Sequence, residues 1–214
     1  MKKVVIIVMI MMSTMLFADE MSTLISGNVT HGGYGGPVLK FTEMNGSFGT
    51  LVGGHGGWII DHKFVLGGGG YGLANDISVD LGPDTDKYLN FGYGGLELGY
   101  IACSNRLVHL DFNALIAGGG VGYRNSVFDD DWDDCDCYDW DCDYCDDWDD
   151  DCNEFEKPVF VVEPTVNLML NVSKHVRVGV GASYRYVTGL KNLVIDNNDL
   201  SGGSISLNVK FGAF

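Results

Sequence analysis

The sequence predicts an all-β chain, an antiparallel up-and-down barrel of about eight strands that crosses a membrane. Three observations predict it. Apolar and polar residues alternate with period two over stretches of ten or more residues, short turns take turns with long connections, and charged side chains gather on one face of the alternating segments.

The first 18 of the 214 residues stand apart. Met1-Lys2-Lys3 leads into an apolar run from Val4 to Phe17, broken only by Ser13 and Thr14, and Ala18 precedes Asp19-Glu20. A basic start, a short apolar core and a small residue before a polar stretch describe a cleaved signal peptide over 1–18, with the mature chain, 19–214, beginning near Asp19. The run is shorter than the roughly 20 residues a membrane helix needs. No Cys stands at the cleavage point, so no lipid anchor is expected there.

Turn signals then divide the chain into strands at about 33–43, 47–60, 63–74, 87–101, 107–124, 158–172, 175–188 and 203–213. The second half is the easier to phase. Val108, Leu110, Phe112, Ala114 and Ile116 share one face, with His109, Asp111 and Asn113 on the other. Phe160 to Val172 and Val176 to Tyr186 alternate in the same way, and Ile205, Leu207, Val209 and Phe211 oppose Ser204, Ser206, Asn208 and Lys210. In the first half, runs such as 53–57 and 67–70 are so rich in Gly that both faces blur. The segments exceed the five or six residues of an average strand and suit a crossing of about 9–11 tilted residues.

The connections point the same way. Asp61-His62, Cys103 to Arg106 and Val172 to Lys174 are short, whereas 75–86, 125–157 and 189–202 are long. Asn45-Gly46 is a tight hairpin signal on the long-loop side. An even strand count places both chain ends on the short-turn side.

A small membrane barrel turns its apolar face to lipid and fills its lumen with polar groups. The phasing sends Glu97, Asp111 and Glu163 inward with Arg177, Arg185 and Lys210, three acids and three bases that could neutralise one another. The expected interior is a packed polar core and not an open pore. The competing reading is a soluble lipocalin-like barrel or a sandwich, for which shorter strands and Pro-marked turns are more usual.

The formal net charge of −16 belongs to one segment. Residues 129–156 hold 16 carboxylates and no Lys or Arg, which leaves 13 acids against 13 bases elsewhere. Without a basic patch no nucleic-acid partner is expected. This acidic, Cys-rich connection, extracellular by parity, contains Cys135, Cys137, Cys142, Cys145 and Cys152 together with Trp132, Trp140 and Trp148. It reads as a solvated self-repelling loop, as a disulfide-stapled knot formed by those five Cys, or as a divalent-cation site. Asp139, Asp141, Asp143, Asp147 and Asp150 occupy positions of a calcium-type loop, although Tyr144 stands where that loop needs Gly. Cys142 and Cys145 have the spacing of a zinc half-site without a second pair. Cys103, on the opposite rim, is expected as a free thiol.

The alternating segments, the long-loop and short-turn asymmetry, the leader ending LFA-DE and the final strand SISLNVKFGAF resemble the small outer-membrane β-barrel proteins of Gram-negative bacteria. The resemblance covers nearly the whole mature chain and is architectural. It implies residence in the outer membrane, with the lipid bilayer and the barrel-insertion machinery as partners. In that family the last aromatic shares the apolar phase of its strand. Here Phe214 shares the phase of Lys210, so a bulge restores the register or the terminus departs from the pattern.

No nucleophile constellation, phosphate cradle or HExxH helix is present in the sequence. His109 and Asp111 share the inner face and read as an interior network; His31 and His55 stand alone. The expected function is a non-enzymatic outer-membrane barrel that displays an acidic loop for a cation or an extracellular protein. A narrow channel and a lipid-modifying barrel enzyme are the alternatives.

Overall fold

A computed structural model describes residues 30–80, 86–124, 157–190 and 195–214. The leader at 1–18 and the acidic connection at 129–156, with its candidate ligands and Cys residues, lie outside the described residues. The compact unit His31–Phe214 contains the strands β1 (His31–Met44), β2 (Ser47–Ile60), β3 (Phe64–Leu73), β4 (Ser78–Asp80), β5 (Asp86–Ala102), β6 (Val108–Arg124), β7 (Lys157–Asn171), β8 (Val176–Thr188) and β9 (Gly202–Ala213). A short helix α1 (Asn197–Leu200) precedes β9.

Every pairing is antiparallel. The order runs β3-β2-β1-β9-β8-β7-β6-β5, and β3 pairs again with β5, so the eight long strands close on themselves. The eight alternating segments of the sequence are these eight strands. β4 lies within the connection 75–86 and pairs with the start of β5 from Ser78↔Tyr88 to Asp80↔Asp86. α1 carries a reciprocal capping box between Asp196 and Asp199 and buries Leu200. Neither element has a period long enough to show in the sequence. Among the described residues no helix is long and apolar enough to cross a membrane.

The turns follow from local chemistry. Met44 pairs directly with Ser47, and the two residues between have positive φ, 49° at Asn45 and 68° at Gly46. That is the twist a two-residue hairpin requires. Asp61 and His62 repeat the device at the opposite end, with φ of 53° and 54°.

Alternation controls which residues face outward. Leu66, Leu96, Leu98, Leu168, Val180 and Leu207 are about half exposed on the outer surface of the barrel. Aromatic side chains flank this band. Trp58, Phe64, Tyr100, Phe112 and Phe211 stand toward the short turns, and Phe41, Phe48, Phe160, Tyr184 and Tyr186 toward the long loops. Ten residues separate Phe48 from Trp58 on β2; at about 3.3 Å each and a tilt of about 40° they rise about 25 Å, the height of a lipid-facing belt. An apolar belt of that height facing solvent would be costly, and facing acyl chains it is not.

The interior is not uniformly polar, which corrects the expectation of a packed polar core. Toward the long loops it is an apolar cluster that includes Leu51, Phe91, Leu115, Val121, Val161 and Val187. Ile77 and Val79 from one long connection, and Leu190, Ile195 and Leu200 from another, close it from above. Charged and polar groups fill the middle, and a smaller cluster of Tyr34, Ile59, Val65 and Ile101 lies at the short-turn end.

Candidate functional site

The charged interior is the only place where titratable groups converge among the described residues. Glu97, Asp111, Glu163, Arg177, Arg185 and Lys210 all point inward and are buried. They do not pair in the three-against-three manner expected. A fourth base, Lys40 on β1, takes Glu163: its Nζ donates to both carboxylate oxygens at 2.9 and 2.8 Å. Tyr93 Oη and Ser183 Oγ donate to the same carboxylate at 2.7 and 2.6 Å. Lys40 also lies 3.3 Å from the centre of the Tyr71 ring. A carboxylate that is 1% exposed and accepts from three side chains is held without solvent.

Glu97 is served by His55 Nδ1 at 3.1 Å and by Tyr34 Oη at 3.2 Å. His55, which carried no argument in the sequence, is therefore part of the network. Lys210 Nζ donates to Asp111 Oδ2 at 2.9 Å and stands 4.5 Å from the Tyr34 ring centre, linking the two groups. His109 Nε2 is 3.4 Å from Asp111 Oδ1, close enough to interact but not hydrogen-bonded, and both are buried.

Two arginines have no carboxylate within ion-pair distance among the described residues. Arg185 donates through Nε to the Leu200 carbonyl at 2.7 Å, at the end of α1, and lies 5.5 Å from the Phe91 ring centre. The loop helix is thereby tied to the barrel wall. Arg177 lies 3.9 Å over the ring of Phe214.

Phe214 resolves the question of phase. The β8–β9 register is unbroken from Val176↔Phe211 to Arg185↔Gly202, and no bulge intervenes. The last aromatic turns into the mouth of the barrel, where it packs on Tyr34, Ile59, Val65 and Ile101. Tyr34 and Phe214 stack with centroids 6.4 Å apart. The departure from the family pattern is thus a structural feature, an aromatic plug at the short-turn end.

Between the ion pairs lies a cavity of about 20 Å³, lined by Lys40, His55, Glu97, Asn167 and Asn208 among others. It has room for one water. His55 Nε2 and Asn208 Oδ1 are buried without partners, and a water would satisfy them. Among the described residues, space of this size below an apolar closure offers no path for a solute. Cys103 is exposed in the turn between β5 and β6. Among the described residues no group of three His, Cys, Asp or Glu could hold a metal ion.

No family model and no curated protein matches the sequence. Solved structures do match the fold. The barrel of Neisserial surface protein A aligns with a TM-score of 0.59 at 10% identity, over 86% of this chain and 99% of that one. The N-terminal β-barrel domain of Pseudomonas aeruginosa OprF aligns with a TM-score of 0.53 at 9% identity, over 86% and 99%. At such identities the likeness is one of backbone alone, and it agrees with the closed antiparallel strand order. The chain has the fold of the small eight-stranded outer-membrane β-barrels.

Proposed function

We propose that the protein is a non-enzymatic outer-membrane barrel that acts through what it displays at its long-loop end. The observation that carries this reading is the sealed interior: ion pairs below, an apolar closure above, and room for about one water between them. A lumen of this kind supports neither a narrow channel nor an internal lipid-modifying site, so recognition falls to the loops. The acidic connection 129–156, with 16 carboxylates in 28 residues, is the segment whose chemistry selects a partner. Hard oxygen ligands at Asp139, Asp141, Asp143, Asp147 and Asp150 suit a calcium-like cation, and the same charge suits a cationic protein surface. Export follows from the leader, and the mature chain begins near Asp19.

Calorimetric titration of the refolded barrel with calcium chloride tests the reading. Affinity of about 10⁻⁴–10⁻³ M is expected, as for extracellular calcium modules. Replacing 129–156 by a short Gly-Ser turn should abolish it. Equal affinity after the deletion would refute the cation role.

A further inference from the structure

The short-turn end of the barrel has a charge pattern that the proposed function leaves unused. Each of the three short turns carries one exposed base: Lys63 between β2 and β3, Arg106 between β5 and β6, and Lys174 between β7 and β8. The turns are held at one level by hydrogen bonds to neighbouring strands. The Ile101 N–H donates to the Lys63 carbonyl at 2.6 Å, the Asn171 N–H to the Leu107 carbonyl at 2.9 Å, and the Gly212 N–H to the His175 carbonyl at 3.0 Å. The Asn171 side chain fixes the second turn further by donating to the Arg106 carbonyl at 2.7 Å.

Opposing charge is sparse. Among the described residues the side-chain carboxylates at this end are Asp61, 3.2 Å from Lys63 with both half exposed, and the buried Asp111, which Lys210 occupies. An exposed pair such as Asp61–Lys63 neutralises little. Buried Arg177 adds a positive charge just inside the mouth.

Beside the bases stand largely exposed apolar side chains. Leu107, next to Arg106, is 68% exposed, and Val172, two residues before Lys174, is 58% exposed. They continue the outer apolar band to the foot of the turns. An edge that is apolar below and cationic above, repeated around a ring, matches the boundary where acyl chains give way to headgroups. The bases are spread around the rim and form no single pocket, which favours a surface of small anionic groups over one peptide or ion.

We propose that this rim binds anionic phospholipid headgroups and selects them over zwitterionic ones. The inference rests on the reading that the protein resides in a bilayer. Trp58 supplies the probe, since it faces outward on β2 close to the Lys63 turn. The full barrel, with Trp132, Trp140 and Trp148 changed to Phe, is reconstituted in phosphatidylcholine with increasing brominated phosphatidylglycerol, and Trp58 quenching gives the relative binding constant of the two lipids. A preference for phosphatidylglycerol of about two- to five-fold is expected, reduced to about one in 0.5 M salt and in the Lys63→Ser/Arg106→Ser/Lys174→Ser variant. Native mass spectrometry should show fewer phosphatidylglycerol molecules retained by the variant, which reports on the two bases distant from Trp58. A constant near one for the parent protein, or a preference indifferent to salt, overturns the proposal even if the variant fails to fold. Failure of the protein to float with vesicles would instead remove the bilayer reading itself.

Discussion

Lys40→Met isolates the strongest interaction of the lumen. The substitution keeps the aliphatic stem against Tyr71 and removes the ammonium that lies 2.8 Å from Glu163, where the two side chains are 4% and 1% exposed. Breaking a buried pair by deleting one partner costs about 3–5 kcal/mol, because the remaining charge is stranded. Glu163 keeps the Tyr93 and Ser183 hydroxyls, which moderates the penalty, while the cation–π contact with Tyr71 adds to it. We therefore expect a loss of about 3–4 kcal/mol in equilibrium urea unfolding from liposomes, followed by heat-modifiable gel mobility. Adding Glu163→Gln should restore about 2 kcal/mol, since the amide can still bond Tyr93 and Ser183 without a stranded charge. A loss below about 1 kcal/mol for the single variant, or no recovery in the double, would mean that the pair does not organise the interior.

Three further expectations follow from the geometry. Phe214→Ala should destabilise the barrel by about 2 kcal/mol in the same assay, through the contacts with Tyr34, Ile59, Val65 and Ile101 and the Arg177 stack; an unchanged midpoint would show that the plug contributes nothing. Gly95→Ala should impair folding by at least about 2 kcal/mol, because its Cβ would collide with the Ile116 carbonyl, whereas Gly118→Ala, which meets nothing within 4 Å, should stay within about 0.5 kcal/mol; equal effects would contradict the close approach of β5 and β6. In planar bilayers the protein should give no steady conductance, and regular single-channel steps would disprove the closure of the lumen above its one-water cavity.

What the sequence disclosed depended on how cleanly each strand alternates. β6, β8 and β9 have one oily and one polar face, so the inward direction of Asp111, Arg177, Arg185 and Lys210 could be read directly. β1 and β2 concealed Lys40, Tyr34 and His55, because Gly at positions such as 35, 36, 54 and 56 carries no facial information. The alternation of Leu39 and Phe41 with Lys40 and Thr42 was a usable signal that the glycines obscured. The apolar half of the interior was missed for a different reason. Val159, Phe160, Val161 and Val162 are oily on both faces, one set meeting the core and the other lying outside, and a continuous run of this kind has no period. The partner of each charge was never legible, since the choice of Lys40 over Arg185 for Glu163 depends on how eight strands close in space.

The ties across the lumen join residues far apart in the chain. Lys40 and Glu163 are 123 positions apart, Asp111 and Lys210 are 99 apart, and His55 and Glu97 are 42 apart. Each tie skips at least one intervening strand, and the Lys40–Glu163 pair also reaches across the seam between β1 and β9, so it cannot form until the cylinder has been completed there. A two-residue slip at that seam would preserve every inside and outside assignment and would satisfy the ladder almost as well. It would also carry Lys40 about 7 Å along its strand and strand both members of the pair. The Lys40–Glu163 pair therefore acts as a proofreading device for closure: it rewards one alignment of the first and last strands and penalises its nearest competitors.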